Sequence, residues 1–220
     1  MTQHAPRADV ERQAEAGPAA PLSAALWNLR WERELPWRWD DLAIEYASFA
    51  DAWPFIQDHY AAIFGDDRAR FLPDPMTPAK RRFLELSDTF LFQAGGRTVG
   101  VCIAHPTDWS TYYVRSMAFL PAWQGHSGCR RWENAVAETL RRFGCERLEA
   151  ECATTNAVLI RLLTEMGWVV TSTSASERFG MLLRMTRFLT EESRRAFREH
   201  YCAMATSLRA TRAAKKGGTS

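Results

Sequence analysis

A glycine pair between two strand-forming segments restricts the fold of this sequence more than any other feature. Segments 90–93 and 98–103 are rich in aromatic and β-branched residues, and Gly95 and Gly96 lie between them. This arrangement is typical of a β-hairpin, because glycine adopts the positive φ angles of tight turns at no steric cost. A third strand is predicted at 111–120, so the middle of the chain is expected to form a sheet of consecutive strands.

Segments with helical and strand periodicity flank this centre. Apolar residues at helical spacing predict a helix through Phe83 and Leu86 and longer helices at 49–64, 127–143 and 156–166. Further strands are predicted at 42–47, 148–153, 169–174 and 181–188. From residue 42 the predicted order is therefore β-α-α-β-β-β-α-β-α-β-β.

The two ends of the chain differ from this regular middle. Residues 1–25 are rich in Ala, Pro, Gln and Glu, which indicates a mobile lead-in. Four tryptophans follow between residues 27 and 39, and we interpret this segment either as a strap on the domain surface or as an aromatic lid over a ligand or partner. The predicted parts are a lead-in with a Trp-rich strap (1–40), a folded domain (41–189) and a C-terminal helix with a basic tail (190–220).

The composition is that of an ordinary globular protein, with 25% charged residues and a formal net charge of +2. No segment reaches the roughly 18 apolar residues of a membrane helix, and residues 1–13 do not resemble a secretory signal. We therefore expect a cytoplasmic protein with no membrane partner and no nucleic-acid partner. The five cysteines lack zinc-site spacing, so free thiols and no metal site are predicted.

The most informative segment is the turn that leads from the strand at 111–120 into the next helix. It contains two glycines, and its residues are Gln124, Gly125, His126, Ser127, Gly128 and Cys129. A helix N-terminus offers unpaired N–H groups and a partial positive charge, and glycine lets the backbone approach an anion closely. The turn is therefore a candidate phosphate site.

This turn resembles motif A of the GNAT acyltransferases, in which a strand is followed by Pro, two residues, Arg or Gln, two residues, Gly, one residue, and Gly or Ala. Pro121 and Gln124 stand at matching positions. Ser127 replaces the first glycine of the motif, and Cys129 replaces its final Gly or Ala. Both replacements are small side chains, so the phosphate cradle is retained in outline.

Two later segments resemble the same family in the same order. Residues 148–156, LEAECATTN, are similar to the family's strand LxLEVxxxN, and residues 156–168 look like its motif B helix, NxxAxxLYxxxGF. Asn156 and Gly167 match that helix, whereas Leu163 stands where the family usually has Tyr. The resemblance extends over about residues 42–189.

The resemblance implies an α/β (α+β) GNAT fold, a mixed but mostly antiparallel sheet of six to seven strands flanked by helices and splayed between the fourth and fifth strands. It also implies that acetyl-CoA or another acyl-CoA is a substrate. Pantetheine would bond to main-chain groups of Met117 and Phe119, and the pyrophosphate would rest on the turn 124–129. Asn156 would face the cofactor arm.

The implied reaction is N-acyl transfer, expected to be acetyl transfer, to an amine of a small molecule or peptide by direct attack without a covalent enzyme intermediate. Such attack needs a base. Glu151 matches the Glu of the family's LEV, and strand alternation puts Glu149 and Glu151 on the face opposite Leu148. His105 is the reserve base.

Several alternatives stay open at this level. Because Leu163 cannot donate a proton, the leaving thiolate would take one from water, Tyr112, Tyr113 or Ser116; otherwise the domain binds acyl-CoA or a partner with little turnover. An acyl carrier protein could replace CoA as donor, docking on Arg130, Arg131, Arg141 and Arg142. Aromatic residues around the expected acceptor side suggest an apolar acceptor. Arg115 could pair with an acidic acceptor or form a salt bridge at the rim of the site. A homodimer is also possible.

Overall fold

The computed structural model describes residues 26–64, 76–176 and 179–202. The predicted lead-in at 1–25, the prolines Pro73 and Pro75 and the basic end of the tail lie outside these residues. The strands are β1 (Trp37–Arg38), β2 (Ala43–Ala47), β3 (Asp88–Ala94), β4 (Arg97–Pro106), β5 (Thr111–Phe119), β6 (Arg147–Ala153), β7 (Val169–Ser176) and β8 (Gly180–Phe188). The helices are α1 (Trp31–Glu34), α2 (Phe49–Phe64), α3 (Pro78–Glu85), α4 (Gly128–Arg142), α5 (Ala157–Glu165) and α6 (Glu191–Phe197).

All eight strands form one sheet in the order β1-β2-β3-β4-β5-β6-β8-β7. Every neighbouring pair is antiparallel except β5 and β6, which run parallel. The predicted mixed, mostly antiparallel sheet flanked by helices is confirmed. The sheet has one strand more than the six or seven predicted, because Trp37 and Arg38 pair with Ile44 and Ala43 as a short edge strand.

The parallel pair β5 and β6 is joined over four residues only. Its register runs from Thr111 opposite Arg147 to Val114 opposite Ala150, and no pairing continues beyond Val114. The two strands therefore separate toward their carboxyl ends. The predicted splay lies here, between the fourth and fifth of the strands predicted from sequence.

Each face of the sheet carries its own hydrophobic core. Helices α4 and α5 pack on one face, where Trp132 and Leu140 contact a cluster that includes Phe90 and Cys102. Helix α2 packs on the other face against Leu91, Val101 and Ile103. Neighbouring residues of one strand belong to different clusters, as expected when successive side chains point to opposite faces.

Local capping chemistry sets the starts of three helices. The side chains of Thr77, Asn156 and Thr190 accept hydrogen bonds from the main-chain N–H groups of Lys80, Leu159 and Ser193 at 3.3, 3.1 and 3.1 Å. Thr and Asn are favoured at this position because they satisfy an otherwise unpaired donor of the first turn. The helix predicted to start at residue 156 therefore uses Asn156 as its N-cap.

Trp31 of the Trp-rich segment belongs to the hydrophobic core, whereas Trp27 is exposed, so neither a surface strap nor a lid describes Trp31. Trp31 is only 2% exposed, and the centroid of its ring lies 5.0 Å from that of Phe90 and 6.0 Å from those of Tyr112 and Trp37. The indole buries a large apolar area, and the pairing of β1 with β2 holds the segment against the sheet. The division of the chain at residue 41 itself stays a prediction.

A partly buried carboxyl group, that of Asp88, lies next to this segment. Tyr112 Oη donates a hydrogen bond of 2.6 Å to Asp88 Oδ2 at the start of β3. Burial raises the pKa of Asp88, and the hydrogen bond from Tyr112 opposes that shift. The folded state therefore holds the Asp88 proton more tightly than the unfolded state does.

We expect Asp88 to make stability depend on pH in an identifiable direction. Because its pKa is higher in the folded state, its contribution to stability is largest below the unfolded pKa of about 3.9 and is lost as the pH rises through the folded pKa. Asp88→Asn keeps an acceptor for Tyr112 but cannot ionise. Urea unfolding should therefore show the variant gaining stability relative to wild type as the pH rises from about 4.

Asp51→Asn is the matched control with the opposite sign. The hydrogen bond from the Ser48 hydroxyl lowers the pKa of Asp51, so Asp51 adds stability above its unfolded pKa and that contribution is lost as the pH falls. A stability difference between wild type and Asp88→Asn that stays constant from pH 4 to pH 8 would contradict the assignment.

Candidate active site

The gap between β5 and β6 exposes main-chain groups of β5. The N–H of Leu120 donates to the Val99 carbonyl of β4 at 2.9 Å. The main-chain groups of successive strand residues point in alternating directions. Those of Met117 and Phe119 therefore face away from β4, toward the side where β6 diverges from β5. Both residues predicted to hold pantetheine thus face the gap, and the Phe119 carbonyl also accepts a hydrogen bond of 3.2 Å from Gln124 Nε2.

The predicted phosphate turn lies at the same end of β5. After a 3₁₀ turn at Pro121–Trp123, Gly125 adopts a φ of +81°, a conformation that side chains with a Cβ rarely adopt. Ser127 precedes α4, but its side chain does not cap the helix. Gly125, His126 and Ser127 are exposed. The first N–H groups of α4 are thus left without a side-chain cap, as an anion site requires.

Gly128 allows α4 to approach the end of β5. A Cβ at this position would lie 3.0 Å from the Phe119 ring, closer than such contacts normally come. Gly128 is buried, whereas its neighbour Cys129 is partly exposed. The ring of Phe119 therefore holds the helix N-terminus against the strand end that carries the exposed main-chain groups.

Glu151 is the first residue of β6 beyond the paired segment. Its side chain is 19% exposed. It accepts hydrogen bonds from Tyr113 Oη at 3.3 Å, Ser174 Oγ at 3.0 Å and Arg184 Nη2 at 3.3 Å. The predicted base is thus a hydrogen-bonded carboxylate at the mouth of the gap. Sequence reasoning missed Ser174 and Arg184, because the register that brings β7 and β8 to Glu151 leaves no local signal.

A cleft of about 600 Å³ opens beside Glu151, on the sheet face opposite α4. It is lined by His105, Thr107, Asp108, Tyr113, Arg115, Arg147, Glu149 and Arg184. This lining is polar and charged, with a single aromatic phenol, and it does not support the apolar acceptor suggested by the sequence. Trp53 packs on Phe49 and Trp123 packs on His126, and neither tryptophan is among the residues that line the cleft.

The structure distinguishes among the proton donors and bases considered above. Tyr112 is buried on the α4 face and donates to Asp88. Tyr113 donates to Glu151, and burial, with a smaller contribution from Glu151, raises its pKa to about 12. Leu163 is 5% exposed in the core. Burial lowers the pKa of His105, whose Nδ1 is buried without a hydrogen-bond partner among the described residues.

Asn156 caps the N-terminus of α5, a structural role that is independent of any contact with the cofactor. Its Oδ1 accepts the hydrogen bond that caps α5, while the residue itself is exposed near the end of β6. The capping bond leaves the Nδ2 donors of the amide uncommitted to the helix. Asn156 therefore stands at the correct end of the gap for the predicted contact, which stays a prediction.

The basic surface proposed for a carrier protein is neutralised within the chain. Four ion pairs account for its arginines: Arg130 with Glu165, Arg131 with Asp41, Arg141 with Glu138, and Arg142 with Glu34. An acidic partner would have to compete with these carboxylates, so nothing in this surface favours a carrier protein over CoA.

Two groupings are not found in the described parts of the chain. No three His, Cys, Asp or Glu side chains there are arranged as a metal site would need. None of the described helices is both long and apolar enough to span a membrane.

A splayed sheet with an uncapped helix N-terminus at the end of β5 and a carboxylate-lined cleft beside the gap is the arrangement expected of an acyltransferase. The sequence profile of the acetyltransferase (GNAT) family matches residues 25–168. The chain belongs to this family, which confirms the class expected from its motifs. No curated protein matches the chain.

Solved structures of the family share this fold. Ard1 from Thermoplasma volcanium superposes with a TM-score of 0.54 at 18% identity, over 69% of this chain and 99% of that one. The ribosomal-protein-S18-alanine N-acetyltransferase from Escherichia coli gives 0.53 at 14% identity, over 68% and 94%. A GNAT family acetyltransferase from Elizabethkingia anophelis with acetyl-CoA bound gives 0.53 at 12% identity, over 68% and 99%. At these identities the likeness shows the fold alone.

Proposed function

We propose that this protein transfers an acyl group, most simply an acetyl group, from acyl-CoA to the amine of a small molecule or peptide. The amine attacks the thioester directly. One observation carries the proposal: Glu151 stands at the mouth of the gap between β5 and β6, into which the main-chain groups of Met117 and Phe119 point. A thioester bound along β5 and an amine in the cleft would meet at this carboxylate.

The residues of the gap and those of the turn would bind different parts of acyl-CoA. Main-chain groups of Met117 and Phe119 would hold the pantetheine arm, and the N–H groups at the start of α4 would hold the pyrophosphate. Acetyl-CoA bound to the Elizabethkingia anophelis relative supports an acyl-CoA donor.

Glu151 would take the proton that the amine loses as its nitrogen bonds to the acyl carbon. The hydrogen bonds from Tyr113, Ser174 and Arg184 orient the carboxylate, and Oε2, which accepts only the bond from Tyr113, has a second lone pair for the proton of the amine. The C–S bond then breaks and CoA leaves as a thiolate. Because the thiol has an ordinary pKa of about 8.5, the thiolate can leave without a positioned acid, and it takes up a proton from solvent after it has left.

Release of free thiol from acetyl-CoA, recorded with and without amines, tests the proposal. We expect release that depends on the acceptor and yields an N-acetyl product by mass spectrometry. Tight binding of acetyl-CoA with no release from any amine would overturn the proposed function in favour of an acyl-CoA-binding domain.

Introducing the family's tyrosine at position 163 should not accelerate turnover. Leu163 is buried against the main core, so a phenol there would be overpacked, which typically costs about 1–3 kcal/mol. We expect Leu163→Tyr to lower the unfolding free energy without raising kcat. A rise in kcat would show that the leaving thiolate can be protonated from this position. Leu163→Met, which conserves volume, is the matched control and should cost less than about 1.5 kcal/mol.

Location and assembly stay predictions. Cys102, Cys129, Cys145 and Cys152 are free thiols, the state that a reducing compartment maintains. This supports the cytoplasmic location expected from the sequence. The proposed homodimer has no further support in the described residues.

A further inference from the structure

One arginine of the cleft beside Glu151 has no carboxylate partner among the described residues. Arg147 pairs with Asp108 at 3.7 Å and Glu149 at 4.0 Å. Arg184 pairs with Glu149 at 3.5 Å and Glu151 at 3.3 Å. Arg115, in contrast, forms no ion pair with any residue that the structure describes. Within the part of the chain that the structure describes, the cleft therefore contains a guanidinium that no carboxylate neutralises.

A β-bulge aims Arg115 at the cleft. In the pairing of β4 with β5, Ala104 lies opposite Val114 and Ile103 opposite Ser116, which leaves Arg115 as the extra residue. Bulges commonly re-aim a side chain next to an active site. Arg115 is exposed and lines the cleft, so the rim salt bridge considered from the sequence is not formed among the described residues.

Ring contacts hold this guanidinium in place. Its central carbon lies 5.3 Å from the ring centroid of Phe83 on α3, a cation–π contact. The Phe83 ring packs edge-on against His105 at 5.3 Å, and His105 packs against Tyr113 at 5.5 Å. A guanidinium held in this way is suited to bind a carboxylate through two parallel hydrogen bonds.

Arg115 and Glu151 stand on either side of the same opening. The last paired residues of β5 and β6 are Val114 and Ala150, so Arg115 and Glu151 are the next residue on each strand. They form no ion pair with each other: Arg115 lines the cleft, and Glu151 is hydrogen-bonded to Tyr113 and Arg184 of the cleft lining. A cation and an anion thus lie on neighbouring strands just beyond the point where the strands separate, an arrangement that is complementary to a molecule that carries both an amine and a carboxylate.

We propose that the acyl acceptor is a small amine that also bears a carboxylate, an amino acid in the broad sense, whose carboxylate Arg115 binds while its amine meets Glu151. This inference rests on the proposed function and adds the class of acceptor. The amine nitrogen bonds to the acyl carbon and its proton passes to Glu151. The C–S bond breaks, and CoA leaves as a thiolate that takes a proton from water. A cleft of about 600 Å³ is large enough to admit a molecule of this size.

Matched acceptor pairs test the proposal. Each amino acid is compared with its carboxamide, which keeps the amine and side chain but lacks the negative charge, and a tripeptide amide represents peptide acceptors. We expect wild type to prefer the free acids in kcat/KM by about 10–100-fold, since a charge-assisted hydrogen bond is of that size. Arg115→Gln should remove this preference mainly by raising KM for the acids, with little change for the carboxamides.

Arg97→Gln is the control, because Arg97 is an exposed arginine at the far end of β4 and is not part of the cleft. It should keep the wild-type preference. Wild-type turnover without preference for the acids, a better rate with the tripeptide amide, or a preference that survives in Arg115→Gln would each overturn the inference while leaving the proposed function intact.

A binding measurement keeps the inference testable if no acceptor is turned over, the result that would overturn the proposed function. The shift of Tm produced by each amino acid in the presence of CoA is compared between wild type and Arg115→Gln. A shift with at least one free acid, reduced in Arg115→Gln and absent with its carboxamide, supports the carboxylate site. No shift that depends on Arg115 would overturn it.

Discussion

Replacing Glu151 by Gln is expected to lower kcat for acyl transfer by about 10²–10⁴-fold, the usual contribution of a positioned general base. Glutamine has nearly the same shape and can still accept hydrogen bonds from Ser174 and Arg184, whose contacts with Glu151 are 3.0 and 3.3 Å. It cannot accept a proton from the attacking amine. Thiol release from acetyl-CoA at saturating acceptor measures the effect.

The pH profile distinguishes a missing base from a disturbed site. Without Glu151 the amine must lose its proton to solvent, so we expect the rate of the variant to keep rising with pH where that of wild type levels off. Glu45→Gln on β2 replaces a strand glutamate that pairs with Arg38 at 3.6 Å, three strands from β5, and should behave as wild type. A Glu151→Gln variant with more than a tenth of the wild-type kcat would remove Glu151 from the mechanism.

Replacing Trp31 by Ala is expected to lower the unfolding free energy by about 3–5 kcal/mol, the range found for large aromatic residues deleted from cores. Trp31 contacts Phe90, Tyr112 and Trp37 and is 2% exposed. Its removal leaves a cavity between α1 and the sheet that these rings cannot close fully. Urea unfolding followed by circular dichroism measures the change.

Trp27 is the control for this substitution. It lies four residues earlier in the same segment but is 55% exposed, so Trp27→Ala should change stability by about 0.5 kcal/mol or less. Equal losses from the two variants would mean that the segment acts as a surface strap. A Trp31→Ala loss below about 1 kcal/mol would show that this part of the core is not needed for folding.

The sequence by itself determined the local elements of this protein. The Gly95–Gly96 pair predicted the hairpin of β3 and β4, and helical periodicity predicted α4 and α5, because turn chemistry and amphipathic spacing act over a few residues. The motif A turn and the LEAECATTN strand predicted the family and the position of Glu151. Alternation placed Glu149 and Glu151 together on one face, and in the structure both pair with Arg184.

Strand pairing across the sheet decided the rest. Trp31 could be assigned to the core only once β1 was seen to pair beside β2, and nothing near Glu151 in the sequence indicates Ser174 or Arg184. The bulge that exposes Arg115 depends on the register between β4 and β5. These features arise from contacts between residues far apart in the chain, whose register is set by the whole hydrophobic pattern of the sheet and is not encoded in any short segment.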